Sequence, residues 1–137
     1  MMTEMNKAIA QQTMKALSDR DLDGVVAQAA ADCRFYGWTP EPVDSNGYKG
    51  FMSALLAAFP DSRVVIDDVI AEGDKVVVRH RLQGTHQAEL QGIPATGRQV
   101  DVNGIVIFRI ENGKIAEAWL NADIMGMMQQ LGVVPAQ

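Results

Sequence analysis

At the start of the chain, apolar or neutral side chains return every fourth position. Met5, Ile9, Thr13 and Leu17 fall on one side, with Lys7, Gln11 and Lys15 between them. That period predicts an amphipathic helix ending near Ser18-Asp19. A second, shorter helix is predicted from Asp21 as N-cap, with Leu22, Val25, Val26 and Ala29 on its buried side. Cys33 to Trp38 is rich in aromatics and reads as a short strand, followed by a loop over Pro40, Pro42, Asn46 and Gly47. Phe51, Leu55, Ala58 and Phe59 mark a third helix, which Pro60 stops.

From Arg63 onward the pattern becomes strand-like. Val64 to Ala71 is a β-branched run, and Gly73-Asp74 turns it into Lys75-Val76-Val77-Val78 as a hairpin. A longer connection, Glu89 to Arg98, holds Gly92, Pro94 and Gly97, and its proline removes an amide donor that a phosphate loop would use. It reads as a rigid link between strands. A strand from Gln99 to Ile110 follows, and Asn112-Gly113 is a strong hairpin signal leading to a last strand, Lys114 to about Asn121. Ile124 to Leu131 predicts a short terminal helix covering one end of the sheet. Helices first and antiparallel strands afterwards indicate an α+β domain, its helices packed on one face of a curved, mostly antiparallel sheet.

Composition narrows the function classes. With 137 residues, 47% of them apolar, the chain fits a single domain, 1–137, whose core needs no disulfide or metal staple. A net charge of -5 without a Lys/Arg cluster argues against nucleic acid. Only Arg79-His80-Arg81 concentrates positive charge, and strand alternation divides it between two faces. The lone Cys33 excludes an internal disulfide and reads as a core thiol. No segment approaches the roughly 20 apolar residues of a membrane span, and the start of the chain lacks a signal-peptide pattern, so a cytoplasmic protein without membrane contact is expected.

Few residues carry candidate chemistry. His80 shares a strand face with Val76, Val78 and Leu82, which makes it either a satisfied core histidine or a proton carrier in a pocket. His86 has the same parity, roughly 20 Å further along a straight strand, so the two need not share a site. In the last strand Glu117, Trp119, Asn121 and Asp123 fall on one face. Polar groups beside an indole suit either solvent or a pocket needing donors and an acid/base, and Asp123 also fits an N-cap for the terminal helix. Met52, Met125, Met127 and Met128 add a soft apolar component that reads first as adaptable core, and as favouring a flat or greasy ligand where the tail lids a cavity.

Read together, Gly84-Thr85-His86, Gly92-Ile93-Pro94-Ala95-Thr96-Gly97, Trp119-Leu120-Asn121-Ala122-Asp123 and Gln130-Leu131-Gly132 resemble the SnoaL-like polyketide cyclases of the NTF2-like superfamily. The resemblance implies a cone in which the N-terminal helices pack inside a curled sheet and leave a pocket. It also implies an acid/base aspartate beyond the final strand's tryptophan, a place that Asp123 matches, and an intramolecular aldol-type reaction without metal or organic cofactor. Tyr36, Trp38, Phe51, Leu55, His86, Asn103, Trp119, Asn121 and Met127 are the expected ligand-binding set around Asp123 and His80. The chain departs from many relatives in having Ala118 before Trp119, Ala122 before Asp123, and Tyr36-Gly37-Trp38 where they place a His or Asp. Stabilising a developing enolate then falls to Tyr36, Asn103 or Asn121.

The functional expectation is a cofactor-independent cyclase or isomerase acting on a small apolar or aromatic carbonyl compound. A non-catalytic small-molecule-binding protein on the same fold is the alternative. Epoxide hydrolysis is a third reading; it requires an Asp-Arg-Asp network, for which Asp101 and Asp123 are available, but the Arg-x-Asp strand pairing typical of such relatives is absent. Val77, Ile105 and Ile107 lie opposite in parity to Val78, Val106 and Phe108, so both sheet faces carry β-branched residues and a homodimer is expected to cover the outer one.

Overall fold

The protein, seen in a computed structural model that describes residues 2–134, begins with α1 (Met2–Ser18), α2 (Leu22–Ala27), β1 (Ala29–Tyr36) and α3 (Ser45–Ala58). Strands β2 (Arg63–Glu72), β3 (Lys75–Thr85), β4 (Gln99–Glu111) and β5 (Lys114–Ala122) follow, and α4 (Ile124–Leu131) closes the described chain. The strands form one sheet in the order β1-β5-β4-β3-β2. β1 runs parallel to β5, and every other neighbouring pair is antiparallel. This is the α+β cone of the NTF2-like fold: curved, unclosed, with helices on its concave side.

Alternation in β4 shows how sequence sets the inner face. Val100, Val102, Gly104, Val106, Phe108 and Ile110 are buried, and the residues between them are exposed or half-buried. Ala10 and Met14 of α1, Val25 of α2, and Tyr48, Met52 and Leu56 of α3 pack onto that face with Val76 and Val78. Removing one of the larger aliphatic side chains among them from water is worth roughly 1.5–3 kcal/mol. A second cluster, with Phe59, Leu90, Val100, Val102, Met127 and Leu131, seats α4 over one end of the sheet.

Several element boundaries differ from the sequence pattern, each for a local reason. Met5 is 63% exposed, and the buried stripe of α1 runs through Asn6, Ala10, Thr13 and Met14 instead. Asn6 tolerates burial because its side-chain amide donates to the Gly73 carbonyl in the β2–β3 turn. Ala29 opens β1 rather than ending α2, and β1 stops at Tyr36. There Gly37 adopts φ +99, and a Cβ at that position would collide with the Leu120 carbonyl. Asn46 and Gly47 lie in α3, not in a loop, because Asp44 caps that helix by accepting from the Gly47 amide at 2.9 Å.

The motifs around the connection and the terminus are structural fasteners. Leu90 and Ile93 exchange two backbone hydrogen bonds (3.0 and 2.8 Å) across Gln91 and Gly92, both at positive φ. The Gln130 amide pairs with the Asp101 backbone, accepting from its N–H at 2.7 Å and donating to its carbonyl at 3.1 Å. It continues the ladder of β4 beyond the end of β5. Gly132 then ends α4 in the left-handed conformation, φ 78.

Candidate functional site

A cavity of about 530 Å³ occupies the space between the concave sheet and the helices. Its wall is predominantly apolar. One side is an aromatic cluster: Phe35 stacks on Tyr48 with centroids 4.4 Å apart, and Trp38 stands edge-on to both, at 5.5 and 5.4 Å. Phe51 and Leu55 of α3 and Met127 and Met128 of α4 border it as well. A space of this size and lining suits one small, largely apolar molecule.

His80 is the imidazole on this wall. It sits on β3 between buried Val78 and half-buried Leu82, facing the cavity because β3 alternates there as the sequence requires. Its Nδ1 lies 3.4 Å from the Val78 carbonyl. A carbonyl only accepts, so that contact places the proton on Nδ1 and the lone pair on Nε2. Desolvation by burial holds the His80 pKa below its ordinary value of 6.5, opposed more weakly by the Val78 carbonyl and the Asp67 charge. The ring is therefore a neutral base near pH 7.

Tyr48 is a further polar side chain bordering the cavity, and the sequence pattern does not single it out. Burial pushes its phenol well above its ordinary pKa, so the hydroxyl is a donor at any working pH. The available signal is the four-residue spacing of Tyr48, Met52 and Leu56 along α3, the buried stripe of that helix. Beginning the apolar stripe at Phe51 hides the first of the three.

The expected site residues divide into three groups. Trp38, Phe51, Leu55, His80, Asn103, Asn121 and Met127 border the cavity. Asn103 and Asn121 do so from its rim; they pair with Arg81 and Ile105 of the outward set and are exposed. Tyr36 and Trp119 do not border it. They stack on each other outside the sheet, centroids 5.7 Å apart, and the Tyr36 hydroxyl meets Glu117 at 3.3 Å. Alternation is the cause: Ala118 and Leu120 take the inward places on β5, so the polar face with the indole is the outer one.

Asp123 stands just past β5 with its carboxylate exposed. Oδ1 accepts from the Gly126 amide at 2.9 Å, which makes it the N-cap of α4. Its neighbours Ala122 and Ile124 border the cavity, whereas its own carboxylate is turned to the helix. His86 is fully buried outside the cavity. Its Nδ1 accepts from the Thr96 amide at 3.2 Å and lies 3.0 Å from the Thr96 hydroxyl, pinning the 87–98 connection. An Asp-Arg-Asp network does exist, but outside: Arg81 joins Asp67 at 2.9 Å and Asp101 at 3.3 Å on the outer face. It cannot activate water in the cavity.

Comparisons with known proteins agree with this architecture. AclR from Streptomyces galilaeus, a candidate hydroxylase, is 27% identical with a TM-score of 0.90, over 98% of this chain and 85% of that one. IdmH from Streptomyces antibioticus, a candidate polyketide cyclase, is 28% identical with a TM-score of 0.82, over 93% and 98%. TsrD from Streptomyces laurentii is 30% identical with a TM-score of 0.81, over 93% and 97%. No curated protein matches the sequence. The model of the SnoaL-like polyketide cyclases matches residues 7–131, nearly the whole described chain, and with the cone and its cavity this places the protein in that family.

Proposed function

We propose that the protein binds a flat, largely apolar carbonyl compound in the cavity and acts on it as a cofactor-independent cyclase or isomerase, with His80 as the proton carrier. The observation that carries this reading is the His80 imidazole, its Nδ1 facing the Val78 carbonyl, on the wall of a predominantly apolar cavity. Such a base is desolvated, and it is uncharged until it takes a proton.

In the proposed reaction His80 Nε2 removes a proton from the carbon next to a carbonyl. The C–H electrons form a C=C bond, and the carbonyl π electrons move to oxygen, giving an enolate. The Tyr48 hydroxyl, on the same cavity, is the donor we assign to that oxygen, with Asn103 and Asn121 at the rim as the other available donors. The enolate carbon then attacks a second carbonyl of the same molecule, forming one C–C bond, and the imidazolium returns its proton to the new alkoxide. Atoms balance, with no oxidant or reductant. Asp123 enters this scheme through α4, whose docked position keeps Met127 and Met128 over the cavity.

The test follows deuterium incorporation from D2O into the acetyl methyl group of 1-acetyl-2-naphthol by NMR. The wild-type protein should exceed His80→Gln by roughly 10²–10⁴-fold. If the naphthol raises the melting temperature of both proteins equally and neither speeds exchange, the cavity binds without chemistry and the alternative of a binding protein is correct.

A further inference from the structure

β4 is a strand of alternating buried residues with one irregularity of composition. Val102, Val106, Phe108 and Ile110 fill its inner face, and Gly104 takes the place between Val102 and Val106. A glycine inside a strand packs nothing and loses more chain entropy on folding than any other residue. Gly104 does not have the positive φ found at six other glycines. Backbone geometry therefore gives no reason for it; the space it leaves does.

That space is occupied by His80. Gly104 is its direct cross-strand partner in the β3–β4 ladder. A Cβ on Gly104 would stand 2.8 Å from His80 Nε2 and 3.1 Å from Cε1, against 3.6 Å from the Asn121 carbonyl oxygen. Carbon and nitrogen do not approach that closely without one of them moving, and the ring is the part free to move. We infer that Gly104 is a positioning residue for His80: the missing side chain lets the imidazole lie across β4, with Nδ1 toward Val78 and Nε2 as the basic nitrogen. A side chain at 104 pushes the ring off β4 and away from its Val78 contact, so the proton is no longer held on Nδ1. Asp67, the carboxylate whose charge reaches His80, is held on the outer face by Arg81 and does not replace that contact.

This inference rests on the acid/base reading of His80, and the experiment separates the two. Gly104→Ala is compared with wild type, His80→Gln and the double variant in the 1-acetyl-2-naphthol exchange assay, with the His80 ring nitrogens followed by 15N NMR. Gly104→Ala should slow exchange roughly 10–100-fold, the cost of displacing a reacting group by about an ångström. Its ring-nitrogen shifts should move away from the Nδ1–H tautomer. In the His80→Gln background the same substitution should slow exchange no further, a coupling that a merely structural role would not produce.

Gly104→Ala exchanging at the wild-type rate with unchanged ring-nitrogen shifts overturns the inference. If wild type is no faster than His80→Gln, the acid/base reading fails, and the ring shifts alone then decide whether Gly104 places the imidazole. Should Gly104→Ala not fold, the paired variant His80→Ala/Gly104→Ala removes the clash. Restored folding supports the inference, and continued failure overturns it.

Discussion

Asp123 separates a mechanism read from family position from one read from geometry, and two substitutions distinguish them. Its carboxylate is exposed and accepts from the Gly126 amide at 2.9 Å. Asn caps a helix about as well as Asp, so Asp123→Asn should cost only the charge at the helix N-terminus, roughly 0.3–1 kcal/mol before salt screening. Asp123→Ala removes the cap as well, worth about 1 kcal/mol more. For a domain of this length that extra loss lowers the melting temperature by roughly 3–5 °C. The expected pattern is near-wild-type exchange and a small stability loss for Asp123→Asn, with a clear thermal shift for Asp123→Ala. Differential scanning calorimetry and the exchange assay measure both. A 10²-fold or larger loss of exchange in Asp123→Asn, with ligand affinity and stability unchanged, would refute the geometric reasoning and return the proton transfer to Asp123.

His80 gives a pH dependence of defined sign. Its folded pKa is held below the ordinary 6.5 by burial, so exchange should rise as pH climbs through that lowered value and level off above it. The same shift gives folding stability that is complete above about pH 6.5 and lost as pH falls toward the folded pKa, where the unfolded chain binds the proton first. His80→Gln should abolish this acid-side loss while leaving the losses from Asp23, Asp61 and Asp67, all held below their ordinary value by hydrogen-bonded partners, at lower pH. Arg20 donates to the Leu56 and Phe59 carbonyls and to the Ser62 hydroxyl at 2.7, 3.1 and 2.8 Å. Arg20→Met should cost about 2 kcal/mol in urea unfolding at unchanged m-value, and no loss would show these contacts to be dispensable. Ile70, Val77, Ile107, Trp119 and Tyr36 are successive cross-strand partners across the outer face. That stripe should be covered by a second copy, as sedimentation at micromolar concentration will show; a monomer there counts against it.

What the sequence made legible follows from how periodicity works. A period-2 pattern fixes which residues of β3 and β4 share a face, so His80 with Val76 and Val78 on the concave side could be read from residues alone. It does not say which face of β5 is concave. By sequence Glu117, Trp119 and Asn121 are compatible with a pocket or with solvent; the packing of Ala118 and Leu120 with the helices puts them on the solvent side. The same ambiguity drew Tyr36 and Trp119 into the expected site, although their stacking belongs to the outer surface. Caps are better signalled than sites, because a cap is a local bond between residues three apart. Asp21 and Asp123, both legible as caps, each accept from an amide three positions on, as does Asp44, which the surrounding prolines and glycine hid in a loop. For Asp123 that local bond and the family position gave opposite roles to one carboxylate.

Gly104 was illegible for a different reason. A single glycine in an otherwise apolar alternating strand changes neither the period nor the predicted element, and its meaning appears only when the strand across the ladder is known. Once β3 is in register, one missing side chain and one imidazole account for each other: the glycine for an unfilled place in a packed wall, the imidazole for a ring that fits without displacing β4. Reactive geometry in this cavity thus depends on a residue with no chemistry of its own. Variants that fill position 104 should lose proton transfer before they lose the fold, because a displaced ring swings into open cavity, whereas displaced β4 would have to break its ladders with both β3 and β5.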